Sequence, residues 1–379
     1  MLMRSKSTAH DAVVVGAGPA GIGAALALQD AGVSDVVVLE RATIGASLRS
    51  WPQEMRCITP SFQGNQFGAA DLNAVAPNTS PAFSLDVEHP TGAQWAAYLD
   101  GVADHYSLEV REGIEVVSVH ADDAGFTLET PDVLIRARHV VWAAGEFGAP
   151  RLDLFPGAEL CRPAGSVRSW HDVGDDEVVV IGGFESGIDA AATLVEARPS
   201  RRVVVIDPAA PWERRHDDPS VTLTPFTRGR LDAALTTGRL DLRGDTRVAS
   251  AVRGRGGSIE LRCDDGSELA VPGAPILAAG YRPVLGPVER LVDVRGDGTP
   301  VVTEDDESTV TPGLFIAGPG LRHDGLIFCF AYKYRGRFPV VASSIAASLG
   351  REPAEELDAW RQAGMWLDDL SCCGDECAC

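Results

Sequence analysis

The chain has 379 residues, of which 45% are hydrophobic and 23% are charged, and its formal net charge is −21. This length allows two or three domains of ordinary globular composition. The acidic balance argues against nucleic acid or an anionic membrane surface as a partner. Residues 1–11 lack the apolar core of a secretory signal, and no run of about 18 apolar residues occurs, so we expect a cytoplasmic protein.

The first predicted unit covers residues 11–41 in the order strand, glycine turn, helix, strand. A β-branched run predicts a strand at Val13–Val15, and Val36–Leu39 predicts a second strand that ends on Glu40. Glu40 lies at the distance from which an acidic side chain binds a ribose diol, and Arg41 is a further candidate for cofactor contact. The turn has the G-x-G-x-x-G spacing, with its glycines at Gly16, Gly18 and Gly21.

Each glycine of this turn has a predicted role in dinucleotide binding. Gly16 permits the tight turn, Gly18 lets the backbone approach a pyrophosphate, and Gly21 lets the helix pack close to the strand. The N-terminus of the helix then faces the phosphates with its amide donors, and Pro19 and Ala20 are further candidates for contact. A glycine turn in some other α/β protein is the alternative interpretation.

The same order of elements recurs over residues 177–207, where Asp207 ends the second strand. The candidate nucleotide contacts of this second turn are Gly182, Gly183 and Gly187. The middle glycine slot holds Phe184, whose side chain would stand where the backbone should approach a pyrophosphate. Two such units predict two nucleotides, a bound flavin and a nicotinamide, unless the second unit is a degenerate duplicate that binds none.

The sequence leaves the choice between NADH and NADPH open. Asp207 favours the free 2′-hydroxyl of NADH and would repel a 2′-phosphate. Arg214 and Arg215 follow closely in sequence, and their charges favour NADPH instead.

Further strands that end in glycine are predicted in residues 139–150, 274–283 and 311–320. A helical stretch follows from about Phe328 to Leu349. These motifs, in this order, resemble the two-dinucleotide-binding-domain flavoproteins, which include thioredoxin reductases, bacillithiol-disulfide-reductase-like proteins and flavin monooxygenases. The stretch Ser47–Phe62 looks closest to the bacillithiol-disulfide-reductase branch.

The resemblance implies an α/β fold with two Rossmann-like nucleotide-binding domains, the second inserted into the first. Residues 11–155 and 275–349 would form the FAD-binding domain. Residues 156–274 would form the NAD(P)H-binding domain, and residues 350–379 a C-terminal helix with a cysteine-rich tail. The resemblance also implies a homodimer.

The resemblance also implies which residues contact the flavin. The first glycine turn would hold the FAD pyrophosphate, and Glu40 the adenosine ribose. Trp51 lies in the stretch that approaches the isoalloxazine, Gly145 is a further candidate, and Gly318 would lie beside the ribityl chain. Many members carry Asp after that last glycine, but this chain has Pro319, which removes one expected hydrogen bond.

Half of the eight cysteines fall in the last eight residues, CCGDECAC, at Cys372, Cys373, Cys377 and Cys379. They could cycle between dithiol and disulfide, or bind a soft metal ion such as Zn²⁺, Cu⁺ or Hg²⁺. Their acidic neighbours raise thiol pKa values but attract cations. A third possibility is a terminal segment without a role. Before it, residues 353–370 predict an amphipathic helix that docks on the body or on a partner subunit.

His323 and Asp324 are the best acid or base candidates near the predicted flavin edge. Their simpler interpretations are a surface turn and a helix cap. Cys57 and Cys329 also lie in segments that the resemblance places near the flavin. We expect both to be small buried hydrophobic residues rather than redox thiols.

The sequence predicts an FAD-dependent NAD(P)H oxidoreductase that reduces a disulfide or thiol-bound substrate, with the cysteine tail as thiol relay. A flavin-dependent monooxygenase or oxidase is the first alternative. Its branch carries a fingerprint histidine where this chain has Cys161. The second alternative is a metal-binding protein on a flavoprotein scaffold. The chain contains no C-x-x-C pair, which thioredoxin reductases place in their middle domain.

Overall fold

The computed structural model describes residues 9–63, 70–216, 218–323, 325–352 and 355–370. Across these ranges, no helix is long and apolar enough to cross a membrane. The strands, in chain order, are β1 (His10–Val15), β2 (Val36–Leu39), β3 (Val110–Arg111), β4 (Ser118–Asp122), β5 (Gly125–Glu129), β6 (Leu134–Trp142), β7 (Arg162–Pro163), β8 (Glu177–Ile181), β9 (Arg202–Asp207), β10 (Leu240–Gly244), β11 (Val248–Arg253), β12 (Ile259–Cys263), β13 (Glu268–Val271), β14 (Ile276–Leu277), β15 (Leu314–Ile316), β16 (Arg322–His323) and β17 (Leu326–Ile327). The helices are α1 (Pro19–Asp30), α2 (Ala46–Arg49), α3 (Pro81–Leu85), α4 (Gly92–His105), α5 (Glu185–Ala197), α6 (Pro225–Thr236), α7 (Ala331–Tyr334), α8 (Phe338–Ser348) and α9 (Asp358–Gln362).

The first sheet has seven strands within the described ranges, and six of them follow the order β3-β2-β1-β6-β5-β4. β6 pairs in parallel with β1, and its first half pairs antiparallel with β5. The second half of β6 pairs in parallel with β15. The chain therefore returns to the first sheet after building the second one, as an inserted second unit requires.

The second sheet has five strands among the described residues, in the order β10-β9-β8-β14-β7, and all its pairs are parallel. The antiparallel strands β11, β12 and β13 form a separate small sheet. The sequence predicts that residues 275–349 belong to the first unit. Because β14 pairs with β7 and β8, this strand belongs to the second sheet instead. The predicted α/β class with two Rossmann-like units is confirmed.

α1 is buried over most of its length, from Ala20 to Leu28, because it lies between the first sheet and α8. Its small side chains allow the close approach of its neighbours. A Cβ atom at Gly23 would lie 2.2 Å from the ring of Phe338. The small alanine and glycine residues of α1 thus let it pack on several faces rather than along one amphipathic stripe.

The C-terminal segment packs on the first unit, although it forms less helix than the sequence predicted. Only α9 is an α-helix within residues 355–370, because Gly364 takes a left-handed conformation, with φ of +65°, that ends it. Trp360 is fully buried, and its Nε1 donates a hydrogen bond of 2.8 Å to Asp30. The amide of Leu367 donates to the carbonyl of Gly336 at 2.9 Å.

A buried carboxylate joins the end of the first unit to this C-terminal segment. The side chain of Asp306 is fully buried and accepts hydrogen bonds of 3.0 and 3.1 Å from Arg337, which is itself 1% exposed. Nε2 of His323 lies 2.5 Å from Oδ1 of the same carboxylate. Arg337 also donates to the carbonyl of Leu367 at 2.5 Å. The carboxylate of Asp306 therefore holds together the residue before α8, the strand β16 and, through Arg337, the C-terminal segment.

We expect the substitution Asp306→Asn to destabilise the protein by about 3–5 kcal/mol, because it leaves the buried guanidinium of Arg337 without a counter-charge. Asparagine keeps the shape and tolerates the left-handed backbone at this position, where φ is +65°. Urea unfolding measures the change. The matched control is Asp305→Asn at the exposed neighbouring residue, for which we expect a change below about 0.5 kcal/mol. Equal unfolding midpoints for the two variants would contradict this account.

Candidate functional site

Two glycines of the first turn are required by contacts within the protein. Gly16 has φ of +105°, and a Cβ atom there would lie 2.5 Å from the carbonyl oxygen of Ala143. A Cβ atom at Gly21 would lie 1.8 Å from the carbonyl oxygen of Gly16. These approaches press α1 against β1 and the end of β6, which is the close helix–strand packing that the sequence predicted.

Gly18 differs from the other two glycines, because no protein contact requires it. A Cβ atom at Gly18 would meet no heavy atom within 4 Å, and its backbone is extended, with φ of −81°. It caps α1 without a side-chain hydrogen bond, and Pro19 follows at the first helical position. The open space therefore lies against uncapped amides at a helix N-terminus, an arrangement that suits a diphosphate.

Glu40 fixes the turn to the end of β2. Its side chain is 9% exposed, and its two oxygens accept hydrogen bonds from the amides of Ala17 and Ala42, both at 2.9 Å. A carboxylate has about four acceptor sites, so capacity remains for ribose hydroxyls. Arg41 is exposed, and its guanidinium extends to the neighbourhood of Gly148.

The second turn repeats this geometry closely. Gly182 has φ of +104°, and a Cβ atom there would lie 2.2 Å from the carbonyl oxygen of Ala278. A Cβ atom at Gly187 would lie 1.9 Å from the carbonyl oxygen of Gly182. Asp207 takes the place of Glu40 and accepts a hydrogen bond of 2.7 Å from the amide of Gly183. The internal repeat thus extends to individual hydrogen bonds.

The second turn departs from the first at two adjacent positions. Phe184 caps α5 in the same extended conformation as Gly18, with φ of −88°, so the backbone there tolerates a side chain. Gly183 lies under Trp212, since a Cβ atom at Gly183 would be 2.2 Å from the indole. Trp212 is 7% exposed and was not singled out from the sequence. An aromatic surface therefore covers the turn beside Asp207.

Cationic groups lie close to this second turn. Arg228 donates to the carbonyl of Trp212 at 2.9 Å, and its Nη2 is buried with no hydrogen-bond partner in the part of the chain that the structure describes. Arg214 and Arg215 are exposed. The guanidinium groups of Arg215 and Arg228 both donate to the carbonyl of Trp212, which lies over the turn beside Asp207. Both nicotinamide hypotheses therefore keep their support.

The chain passes between the two units after β6 and again after β14, and these two connections lie side by side. The amide of Arg282 donates to the carbonyl of Ala149 at 2.9 Å, and the amide of Val284 donates to that of Gly145, also at 2.9 Å. A Cβ atom at Gly145 would meet nothing within 4 Å, although its φ of +70° favours glycine. The two connections therefore run side by side, with open space beside Gly145.

Aromatic side chains lie along this junction. The ring of Trp51 lies 5.7 Å from that of Phe147, which lies 4.9 Å from that of Tyr281. The indole Nε1 of Trp51 is buried without a hydrogen-bond partner among the described residues. A buried donor in this position fits an acceptor on a planar cofactor. Gly318 follows β15 and has φ of +110°. A Cβ atom at Gly318 would lie 3.0 Å from Cβ of Ala20, so the chain passes close to α1 here.

His323 is held by the buried Asp306, as described above, and whether it acts as an acid or base stays a prediction. Asp324 lies outside the described residues. Cys57 is buried as expected, and burial raises the pKa of its thiol. The predicted burial of Cys329 is wrong, because its side chain is exposed, and whether its thiol takes part in redox chemistry stays a prediction. Its Sγ lies 3.2 Å from Oγ of Ser220, in a recess where surrounding protein still raises the pKa of the thiol.

The tail residues Cys372, Cys373, Cys377 and Cys379 lie outside the described residues. Their roles as redox thiols or metal ligands stay predictions. In the described ranges, no group of three or more His, Cys, Asp or Glu side chains is arranged to hold a metal ion.

Comparisons with known proteins agree with this geometry. The chain is 23% identical over 310 residues to the bacilliredoxin reductase Bdr of Bacillus subtilis (strain 168), which covers 81% of this chain and 88% of that protein. It is 25% identical over 358 residues to the thioredoxin reductase of Mycolicibacterium smegmatis, which covers 92% of this chain and 98% of that protein. A flavin-containing monooxygenase from Stenotrophomonas maltophilia shares the fold, with a TM-score of 0.69 and 20% identity over 90% of this chain and 99% of that one.

The family model for pyridine nucleotide-disulphide oxidoreductases matches residues 13–318. This range includes both glycine turns, Asp207 and the strand end at Gly318. The chain is a flavoprotein oxidoreductase that uses FAD and a nicotinamide nucleotide, and it belongs to the pyridine nucleotide-disulphide oxidoreductase family.

Proposed function

We propose that this enzyme passes electrons from NADH or NADPH through FAD to a disulfide or a thiol-bound substrate. The observation that carries the proposal is the pair of matched turns, each with an acidic side chain that receives the amide after the first glycine. Bound FAD supplies the two-electron chemistry, and the protein supplies position and electrostatics. The matched relatives named as reductases support the disulfide as acceptor.

We assign the flavin to the first unit, built from residues 11–155 and the segment that returns after β14. The open space beside Gly18 accommodates the diphosphate, and Glu40 lies where the adenosine ribose would bind. The orphan donor of Trp51 and the open space beside Gly145 would then lie toward the isoalloxazine end. The buried interior of α1 holds this surface rigid.

We assign the nicotinamide nucleotide to the second unit, residues 156 to the end of β14. Trp212 offers a flat apolar surface next to Asp207. The carboxylate suits the free 2′-hydroxyl of NADH, whereas the guanidinium of Arg228 suits a 2′-phosphate. Parallel titrations with NADH and NADPH decide between the two.

The tail extends the proposal to the acceptor side. The amide of Leu367 donates to the carbonyl of Gly336, which lies shortly after α7, so the segment that precedes the tail packs close to the helix that follows Cys329. Residues 371–379 can span at most about 30 Å. We propose that the four cysteines carry electrons from the flavin outward to the acceptor. The same proposal includes a cytoplasmic homodimer. A soft metal ion is the alternative ligand for the same thiols.

A flavin-dependent monooxygenase or oxidase is the second candidate, because a monooxygenase shares the fold over nearly the same length. In that case molecular oxygen would accept the electrons, and the tail would have another purpose.

We expect Gly18→Ala to lower the affinity for FAD about tenfold or more while leaving the fold of the apoprotein unchanged. The added methyl group enters the proposed diphosphate space and meets no protein atom. Flavin content after purification and the unfolding of the apoprotein measure the two effects.

The control for this substitution is Gly21→Ala, whose methyl group would overlap the carbonyl of Gly16. We expect it to destabilise the apoprotein by about 2 kcal/mol or more. If Gly18→Ala retains full flavin content, the diphosphate does not lie beside Gly18.

We expect a chain that ends at Leu370 to keep flavin reduction by the nicotinamide but to lose about tenfold or more of its disulfide turnover. The reason is that the truncation removes the proposed relay and none of the contacts of the glycine turns. Anaerobic stopped-flow absorbance follows the first step, and thiol release follows the second.

A full-length variant with all four tail cysteines replaced by serine separates loss of thiols from loss of chain. Undiminished disulfide turnover in both variants would remove the relay from the proposal. Reoxidation of the reduced flavin by air alone, with no response to disulfides, would favour the monooxygenase or oxidase instead.

A further inference from the structure

A small hollow of about 370 Å³ lies on the first unit, where the chain leaves α1 and enters β2. Its walls are the second half of α1 and residues 107–109, which precede β3. Val33, Val36 and Val38 contribute an apolar floor. Val36 and Leu108 pack on the core but remain partly exposed to solvent. The described residues therefore leave apolar surface uncovered in this hollow, which we call the α1–β2 hollow.

The structure describes the chain from residue 9 onward, and this first described stretch lies next to the α1–β2 hollow. Nδ1 of His10, the first residue of β1, lies 2.6 Å from Oδ1 of Asp35. Ser34, which precedes Asp35, lines the hollow. Eight residues of extended chain span at most about 29 Å, so residues 1–8 are long enough to cross the hollow from this end.

Residues 1–8 have the sequence MLMRSKST, which suits the α1–β2 hollow in both apolarity and charge. The first three residues are apolar, and methionine side chains adapt to irregular gaps. Arg4 and Lys6 add two positive charges, and the segment contains no acidic residue. It therefore brings positive charge to a chain whose net charge is −21.

Two partly exposed carboxylates lie at the α1–β2 hollow. The side chain of Asp35, at the end near residue 9, is 47% exposed, and that of Glu109, on one wall, is 54% exposed. Arg111 bonds to Oε1 of Glu109, so Oε2 has no partner among the described residues. Arg351 also reaches this part of the surface, but Asp11 balances its charge at 2.6 Å. The rim of the hollow therefore attracts a basic segment.

We propose that residues 1–8 dock in the α1–β2 hollow of their own chain. The apolar first three residues cover Val36 and Leu108, and a basic side chain pairs with Oε2 of Glu109. Removal of the apolar floor from water favours this contact and offsets the entropy lost when the segment is ordered. The hollow lies at the start of β2, whereas Glu40 follows its end, so the docking does not depend on the proposed cofactor sites or electron transfer.

Limited digestion with trypsin tests the docking on the full-length, FAD-loaded enzyme. Trypsin cleaves after Arg4 and Lys6, and a docked segment is cut only in the fraction of molecules in which it has left the hollow. We expect Glu109→Lys and Gln29→Trp each to speed this cleavage about fivefold, because the first reverses a charge and the second fills the hollow. Glu289→Lys changes an exposed residue outside the hollow and should leave the rate unchanged. Intact-mass spectrometry measures the rate, and the unfolding midpoint and flavin content show that each variant keeps the fold.

Labelling of carboxylates with glycine ethyl ester and a carbodiimide gives a second readout, from the hollow itself. We expect Glu109 to react about fivefold faster in a chain that lacks residues 1–8 than in the full-length chain, with Glu289 unchanged. Equal cleavage rates in the wild type and in both hollow variants, together with equal labelling of Glu109, would overturn the docking. Protection that disappears on dilution would place the segment of a second copy in the hollow and would also overturn the proposal.

Discussion

The close approach of the carbonyl of Gly16 to Gly21 is the constraint on which the proposed nucleotide site depends. It presses the first turn of α1 onto β1 and leaves no space for a side chain at Gly21, while the carbonyl of Ala143 leaves none at Gly16. The helix must then start at Pro19 with its amides uncapped and directed at the space beside Gly18. Glu40 holds the other side of the turn through the amide of Ala17. Backbone contacts, rather than side chains, thus shape the proposed diphosphate site.

Comparison of the two units separates the contacts that hold the fold from the positions that we propose to face a ligand. Gly182, Gly187 and Asp207 preserve the contacts that hold turn, helix and strand together. The position equivalent to Gly18 holds Phe184, where no protein contact demands glycine. Trp212 lies over the second turn. The contacts that hold the fold are shared by the two units, whereas the positions that we propose to face the nucleotide differ.

Much of this architecture could be predicted from sequence, because strand, glycine turn and helix are local patterns with a fixed spacing. The sheet that β14 joins depended on long-range pairing that the local pattern does not contain. The predicted C-terminal helix failed at Gly364, where a left-handed residue outweighed the apolar periodicity.

The central claim is that a diphosphate and an adenosine ribose hold the flavin to the first unit. The direct measurement is the titration of the apoprotein with FAD and with riboflavin, followed by competition with ADP. The account predicts that FAD binds about a hundredfold or more tightly than riboflavin and that ADP displaces it, because the turn and Glu40 contact the part that riboflavin lacks. Equal affinity for the two flavins, or failure of ADP to compete, would contradict it.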